Sequence, residues 1–134
     1  MESLMSMFVP KKGTYYLEQG TTVRNAIEKF RVHKFSVVPI IDKEGRYVRT
    51  IAEGDLLRFI TNQSEYKLKE AENVLIDVVE SYRSYKALRI DASIIEVLAL
   101  SLEQNFIPLV DDRGLYIGII KRKEVLEYLI ESKK

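Results

Sequence analysis

VVPIIDKEGRYVRTIAEGDLLRFI, residues 37–60, returns 69 positions later and without a gap as FIPLVDDRGLYIGIIKRKEVLEYL, residues 106–129. Pro39 falls on Pro108, Asp42 on Asp111, Gly45 on Gly114, Tyr47 on Tyr116, Ile51 on Ile120 and Leu57 on Leu126. Most of the remaining pairs are conservative, among them Ile40 with Leu109, Val48 with Ile117, Asp55 with Glu124 and Phe59 with Tyr128. Two copies of one supersecondary unit in a chain of 134 residues predict a pseudo-symmetric domain. The cleft between the copies is then the first place to look for function.

Working outward from the repeat, Asp42-Lys43-Glu44-Gly45 and Asp111-Asp112-Arg113-Gly114 read as tight turns, each closing on glycine. They predict hairpins of 35–41 with 47–51 and of 106–110 with 115–120, followed by helices over 55–60 and 124–130. Upstream of copy one, Thr14-Tyr15-Tyr16-Leu17 is rich in strand formers and stops at Gln19-Gly20. Thr21-Thr22 then caps a helix with Val23, Ala26, Ile27 and Phe30 on one face. Copy two repeats the order, with a lead strand over 86–90 and Ser93 capping a helix that carries Ile94, Val97, Leu98 and Leu102. Between the first helices the offset is 71, so copy two lacks two residues in the loop assigned to His33 and Lys34. Each copy is β-α-β-β-α. The division is 9–62 for repeat one, a connector helix over 63–79, and 80–131 for repeat two. Within the connector the sequence predicts a short charged helix over 66–72. Its apolar patch, Val74, Leu75, Ile76, Val78 and Val79, folds against the repeats.

Composition narrows the class. An apolar fraction of 46% and a charged fraction of 31% are those of an ordinary globular domain. A net charge of +1 supplies no global field for nucleic acid or an anionic membrane. The absence of cysteine removes disulfides, thiolate metal sites and cysteine nucleophiles together. No signal peptide or membrane span is predicted, and the expected location is the cytoplasm. The chain has no Walker-type or dinucleotide-type glycine loop and only one histidine, so no enzyme is expected.

The pattern Pro-h-h-Asp-x-x-Gly-x-h-h-Gly-h-h-Ser/Thr-x-x-Asp-h-h, with h apolar, resembles the cystathionine-β-synthase (CBS) domain. Two tandem copies are similar to a CBS pair, or Bateman module, over most of the chain from about Val9 to Ile130. That resemblance implies an α/β (α+β) fold of tandem repeats packed sheet-to-sheet with pseudo-two-fold symmetry. It also implies a homodimer, an unidentified regulated protein partner and no catalysis. The ligand it implies is an adenine nucleotide: AMP, ADP, ATP, S-adenosylmethionine or cyclic di-AMP. No other cofactor and no metal are expected.

In that family the Ser/Thr-x-x-Asp turn faces ribose and phosphate, with the hydroxyl as N-cap and the acid positioned for a capping box. Both copies depart from it. Copy one reads Ala52-Glu53-Gly54-Asp55, leaving Asp55 as the ribose anchor, and Arg49 stands where the pattern has glycine. Copy two keeps Gly118 but reads Lys121-Arg122-Lys123-Glu124, with Glu124 in the acid position. Three cations oppose the helix dipole there. They read either as a solvated surface or as a phosphate site. The resemblance further assigns adenine to the backbone around Tyr15, Tyr16, Val37, Val38 and Pro39, and around Leu88, Phe106, Ile107 and Pro108, whose side chains equally suit a core. His33 reads as a solvent-exposed loop residue. Tyr66, Tyr82 and Tyr85 read as packing or dimer contacts. Two other functions compete: a ligand-free dimerisation or adaptor module with degenerate clefts, and, ranked last, nucleic-acid binding through the basic run.

Overall fold

Each copy of the repeat builds its own sheet and its own core. The computed structural model describes residues 4–62 and 70–132. The chain divides into two units. One, the copy-one unit, holds Tyr16–Lys43 and Val48–Ser84; the other, the copy-two unit, holds the chain up to Tyr15, the turn residues Glu44–Tyr47 and everything from Tyr85. The class is α+β, with helices and two small sheets.

In the copy-one unit the order is β2 (Leu17–Glu18), α1 (Val23–His33), β3 (Val37–Ile41), β4 (Tyr47–Ala52) and α2 (Glu53–Asn62). The sheet runs β2-β3-β4, and β2 lies parallel to β3 with Leu17 opposite Ile40. Thr22 caps α1 by accepting the Asn25 amide at 3.1 Å. This helix buries Val23, Ala26 and Phe30 against Leu17, Val38, Ile40, Ile51 and Leu56. His33 and Lys34 are not in a loop: His33 ends α1, and Lys34 is its left-handed C-cap, donating its amide to the Phe30 carbonyl. The extra length of copy one therefore went into helix, eleven residues in α1 against eight in α3 (Ile94–Ser101).

The copy-two unit contains β5 (Leu88–Arg89), α3, β6 (Phe106–Val110), β7 (Tyr116–Lys121) and α4 (Arg122–Ser132). Leu88 pairs with Leu109, the same register as Leu17 with Ile40. Ser93 and Glu96 form a complete capping box, with bonds of 3.1 and 3.0 Å. Both lead strands are two residues long, shorter than the β-propensity of 14–17 and 86–90 predicts. Pairing is confined to where the register meets Ile40–Ile41 and Leu109–Val110.

One strand had no counterpart in the repeat. β1 (Phe8–Pro10) pairs antiparallel with β7 and extends the second sheet to β1-β7-β6-β5, placing Pro10 opposite Gly118. As an edge strand, β1 tolerates proline. A Cβ on Gly118 would collide with the Val9 carbonyl oxygen and the Phe8 ring, so glycine is what lets β1 approach.

Where it is described the connector forms 3-10 rather than α-helix. Glu70–Asn73 and Ile76–Val78 are 3-10 turns, and of the charged helix predicted over 66–72, residues 66–69 fall outside the described residues. Its apolar patch does fold onto copy one. Ile76 and Val79 are buried in that core, and Val23 N–H donates to the Val74 carbonyl at 2.7 Å. Ile76 N–H donates to Thr21 at 2.9 Å, and Asp77 accepts the Gly20 amide at 3.0 Å.

Gly118→Ala should destabilise by about 1–3 kcal/mol, the usual cost of overpacking a filled site, read as a lowered denaturation midpoint. Gly54→Ala, whose Cβ meets nothing within 4 Å, should leave the midpoint unchanged or raised. A second expectation concerns acid. Asp111 accepts the Leu115 and Arg113 amides, both at 2.9 Å. The Leu115 N–H foremost holds its carboxyl below its ordinary value of 3.8, desolvation opposes this, and the Arg113 amide and guanidinium add to the lowering. A depressed pKa contributes stability that is complete above about 3.8 and lost as pH falls through the folded value. Urea titrations from pH 7 to 3 should show Asp111→Asn losing stability against wild type at neutral pH, with the gap closing at the acid end.

Candidate functional site

In copy one, β4 runs directly into α2 at Ala52-Glu53. Ala52 has no hydroxyl to cap the helix, but the reciprocal half of the capping box is intact: Ala52 N–H donates to Asp55 Oδ2 at 2.7 Å. Asp55 is only 4% exposed. Its Oδ1 accepts from the Arg58 guanidinium and from the Tyr82 amide, each at 2.9 Å. A buried carboxylate is costly without partners, and here both oxygens have them. The Arg58 guanidinium also stands 4.9 Å above the Tyr82 ring, a cation–π contact. Arg49, the departure from glycine, points onto the connector: it donates to Ser81 Oγ at 2.6 Å and to the Ile76 carbonyl at 2.8 Å. Ser81 in turn donates to the Thr50 carbonyl at 2.7 Å. Beside this network lies a cavity of about 300 Å³ lined by Asp55, Arg58, Phe59, Asn62, Val78 and Glu80.

The copy-two turn is built differently. Arg122 N–H donates to the Asn105 carbonyl as Glu53 N–H does to Ser36, both at 2.9 Å, so the backbone repeats. The side chains do not. Lys121, Arg122 and Lys123 are all exposed. Arg122 is partly committed, donating Nε–H to the Ser101 carbonyl at 2.9 Å. Among the described residues the side chains of Lys121, Lys123 and Glu124 make no ion pair or hydrogen bond. Glu124 lines a cavity of about 730 Å³ with Met5, Ser6, Glu127, Tyr128, Glu131 and Ser132. Three carboxylates around that space repel a phosphate, so the cationic side of the turn is the one suited to an anion.

The residues assigned to adenine divide between core and edge. Val38, Pro39, Phe106, Ile107 and Pro108 are buried; Tyr16, Val37 and Leu88 are half-buried; Tyr15 is exposed. Apart from Tyr15 their side chains are at least half covered, which leaves mainly backbone for a ligand. In copy one, β2 reaches only Ile40 and Ile41, so Val37 and Val38 lie beyond its pairing. In copy two the matching space is taken. Gln104, which falls on Phe35 in the repeat, accepts the Lys86 amide at 2.7 Å and donates to the Lys86 and Phe106 carbonyls at 3.0 and 3.1 Å. Copy one thus has open backbone and an occupied acid, and copy two the reverse. His33 stacks on Phe35 at 6.1 Å and is exposed. Among the described residues no group of His, Asp or Glu could hold a metal ion, and no helix is long and apolar enough to cross a membrane. Arg58, Ser81, Tyr82 and Gln104 were not legible as site residues. The i, i+3 spacing of Asp55 and Arg58 was the one available signal.

The family profile described as "CBS domain" matches residues 9–62 and 78–131. An uncharacterized protein of Methanocaldococcus jannaschii is 27% identical, covering 96% of this chain and 93% of its own length. A homoserine O-acetyltransferase of Methanohalophilus mahii is 28% identical over 78% of this chain, which spans 20% of that protein. Among solved structures, CbpB in complex with c-di-AMP superposes with a TM-score of 0.83 at 20% identity, covering 97% of this chain and 85% of that one. Listeria monocytogenes CbpB in complex with c-di-AMP gives 0.83 at 16%, covering 96% of each. CBSX2 in complex with AMP gives 0.75 at 20%, covering all of both chains.

Asp55→Ala leaves the Arg58 guanidinium and two backbone amides without their acceptor. It should cost about 1–3 kcal/mol in chemical denaturation. Glu124→Ala, which breaks no bond, should fall within about 0.5 kcal/mol of wild type.

Proposed function

The chain belongs to the CBS domain family, and we propose that it is a non-catalytic regulatory module that binds an adenine nucleotide at the strand-to-helix turns of its repeats. The observation that carries this reading is the pair of cations Lys121, just before α4, and Lys123, in its first turn, which with the carboxylate of Glu124 have no side-chain partner among the described residues. Cations, the positive end of the α4 dipole and one acid supply what a nucleotide needs: attraction for phosphate and a two-oxygen acceptor for ribose hydroxyls. The fold it shares with proteins solved in complex with c-di-AMP and AMP supports the ligand class. In this reading the protein is a homodimer in the cytoplasm and passes ligand occupancy to a partner protein through dimer geometry.

A second reading, a ligand-free adaptor, is favoured by the closed state of Asp55 and by Arg49 being spent on the connector. A ligand panel separates them. AMP, ADP, ATP, S-adenosylmethionine or cyclic di-AMP at 100 times its Kd should stabilise the fold by about 2.7 kcal/mol in a thermal-shift assay. No response to any of the five leaves the adaptor reading. Exchanging both Lys121 and Lys123 for glutamate should weaken the nucleotide at least about tenfold, equivalent to about 1.4 kcal/mol. Unchanged affinity in that variant removes the α4 turn as the phosphate site.

A further inference from the structure

We propose that connector residues 76–82 are an autoinhibitory strap that closes the nucleotide site of copy one, so that this site opens only when Tyr82 leaves Asp55. The proposal deepens the reading above and rests on it in taking Asp55 as a ligand group. A carboxylate that receives two ribose hydroxyls needs an acceptor site on each oxygen. Asp55 offers only one while the strap is down: Oδ2 holds the Ala52 amide and keeps a second lone pair, whereas Oδ1 is filled by Arg58 and the Tyr82 amide. Ala52 and Arg58 belong to the same strand-to-helix junction as Asp55 and travel with it. The Tyr82 amide alone comes from another segment, so it is the removable partner.

The strap is pinned up to Ser81, and the chain is held again from Tyr85 and Lys86 onward, which leaves an exposed stretch between. Ile76 and Val79 are buried in the copy-one core. Arg49 and Ser81 then pin the chain to β4 through the Ile76 carbonyl, Ser81 Oγ and the Thr50 carbonyl. Beyond Ser81, residues Tyr82, Arg83 and Ser84 are all exposed. Residues 82–84 can therefore lift from Asp55 without uncovering the core, the kind of local opening whose free energy is a fraction of global unfolding. Copy two has no such device. Its position matching Arg49 is Gly118, and among the described residues the Glu124 carboxylate has no partner. One site is gated and the other is not. Because ligand and strap compete for one carboxylate, the apparent affinity of the gated site scales with the fraction of strap that is open.

The test uses the full chain as wild type, Arg49→Ala and Ser81→Ala, with hydrogen exchange read at the Tyr82 amide and calorimetric titration with AMP and with cyclic di-AMP. Expected in wild type is a slow Tyr82 amide and either one ligand site per chain or a second filled only as that amide is released. In both variants Tyr82 should exchange faster, and copy one should bind about tenfold tighter if the wild-type strap is open about a tenth of the time. Ser81→Ala removes only a hydroxyl and decides the matter if Arg49→Ala does not fold. A Tyr82 amide that already exchanges at the open-chain rate in wild type overturns the strap. So does a wild type that fills both sites with Tyr82 still protected. Variants that free Tyr82 yet keep wild-type binding overturn the strap while leaving nucleotide binding standing. Freed variants and wild type that all ignore both nucleotides overturn the two readings together.

Discussion

A single buried charge organises copy one. Removing a carboxylate from water costs several kcal/mol even after relaxation, and the protein recovers this only by supplying donors of good geometry. Asp55 obtains three: one from the residue that starts its own helix, one from the next turn, and one from a segment 27 residues away in sequence. The last of these decides the course of the connector. To deliver the Tyr82 amide while burying Ile76 and Val79, residues 74–82 run across the copy-one unit in short 3-10 turns and extended backbone rather than as a helix. Arg49 reinforces that path from the neighbouring strand.

The two copies share a backbone plan and differ in what lies against them. Position 49 is arginine because the connector needs a donor there, and position 118 is glycine because β1 needs the room. Phe35 packs edge-on against Phe30, whereas its counterpart Gln104 stitches Lys86 to Phe106. The first turn of α2 carries acids, Glu53 and Asp55; that of α4 carries two cations and Glu124. Each divergence has a local physical cause, so the sites of the repeats cannot be treated as interchangeable.

Much of the fold was legible in sequence because it is written in short-range rules. The 69-residue recurrence, the Thr22 and Ser93 caps, and the turns closing on glycines with φ of 88° and 82° depend on residues within a few positions of one another. Of the candidate site, the acid and the basic run could be located, and the half capping box at Ala52 followed from its spacing. What escaped was long-range. Phe8-Val9-Pro10 has no alternation to mark it as a strand, and its partner lies more than a hundred residues on. Ser81 and Tyr82 act through one hydroxyl and one backbone amide, which leave no periodicity. The departure at Arg49 was visible as a broken pattern, but its reason required knowing what the guanidinium touches.

The edge strand β1 also sets an order of events. Phe8 meets Ile120 across 112 steps of chain, the longest-range pairing among the described strands. Residues 8–10 leave the ribosome ahead of β2 to β7, yet their partners in the sheet, residues 118–120, are made only after the copy-one unit is complete. The copy-one unit is encoded almost entirely in the interval between. Synthesis therefore favours maturing the first repeat while the second waits, with the apolar side chains of Leu4, Met7 and Phe8 uncovered meanwhile. Relocating those leading residues to follow α4 would change that delay.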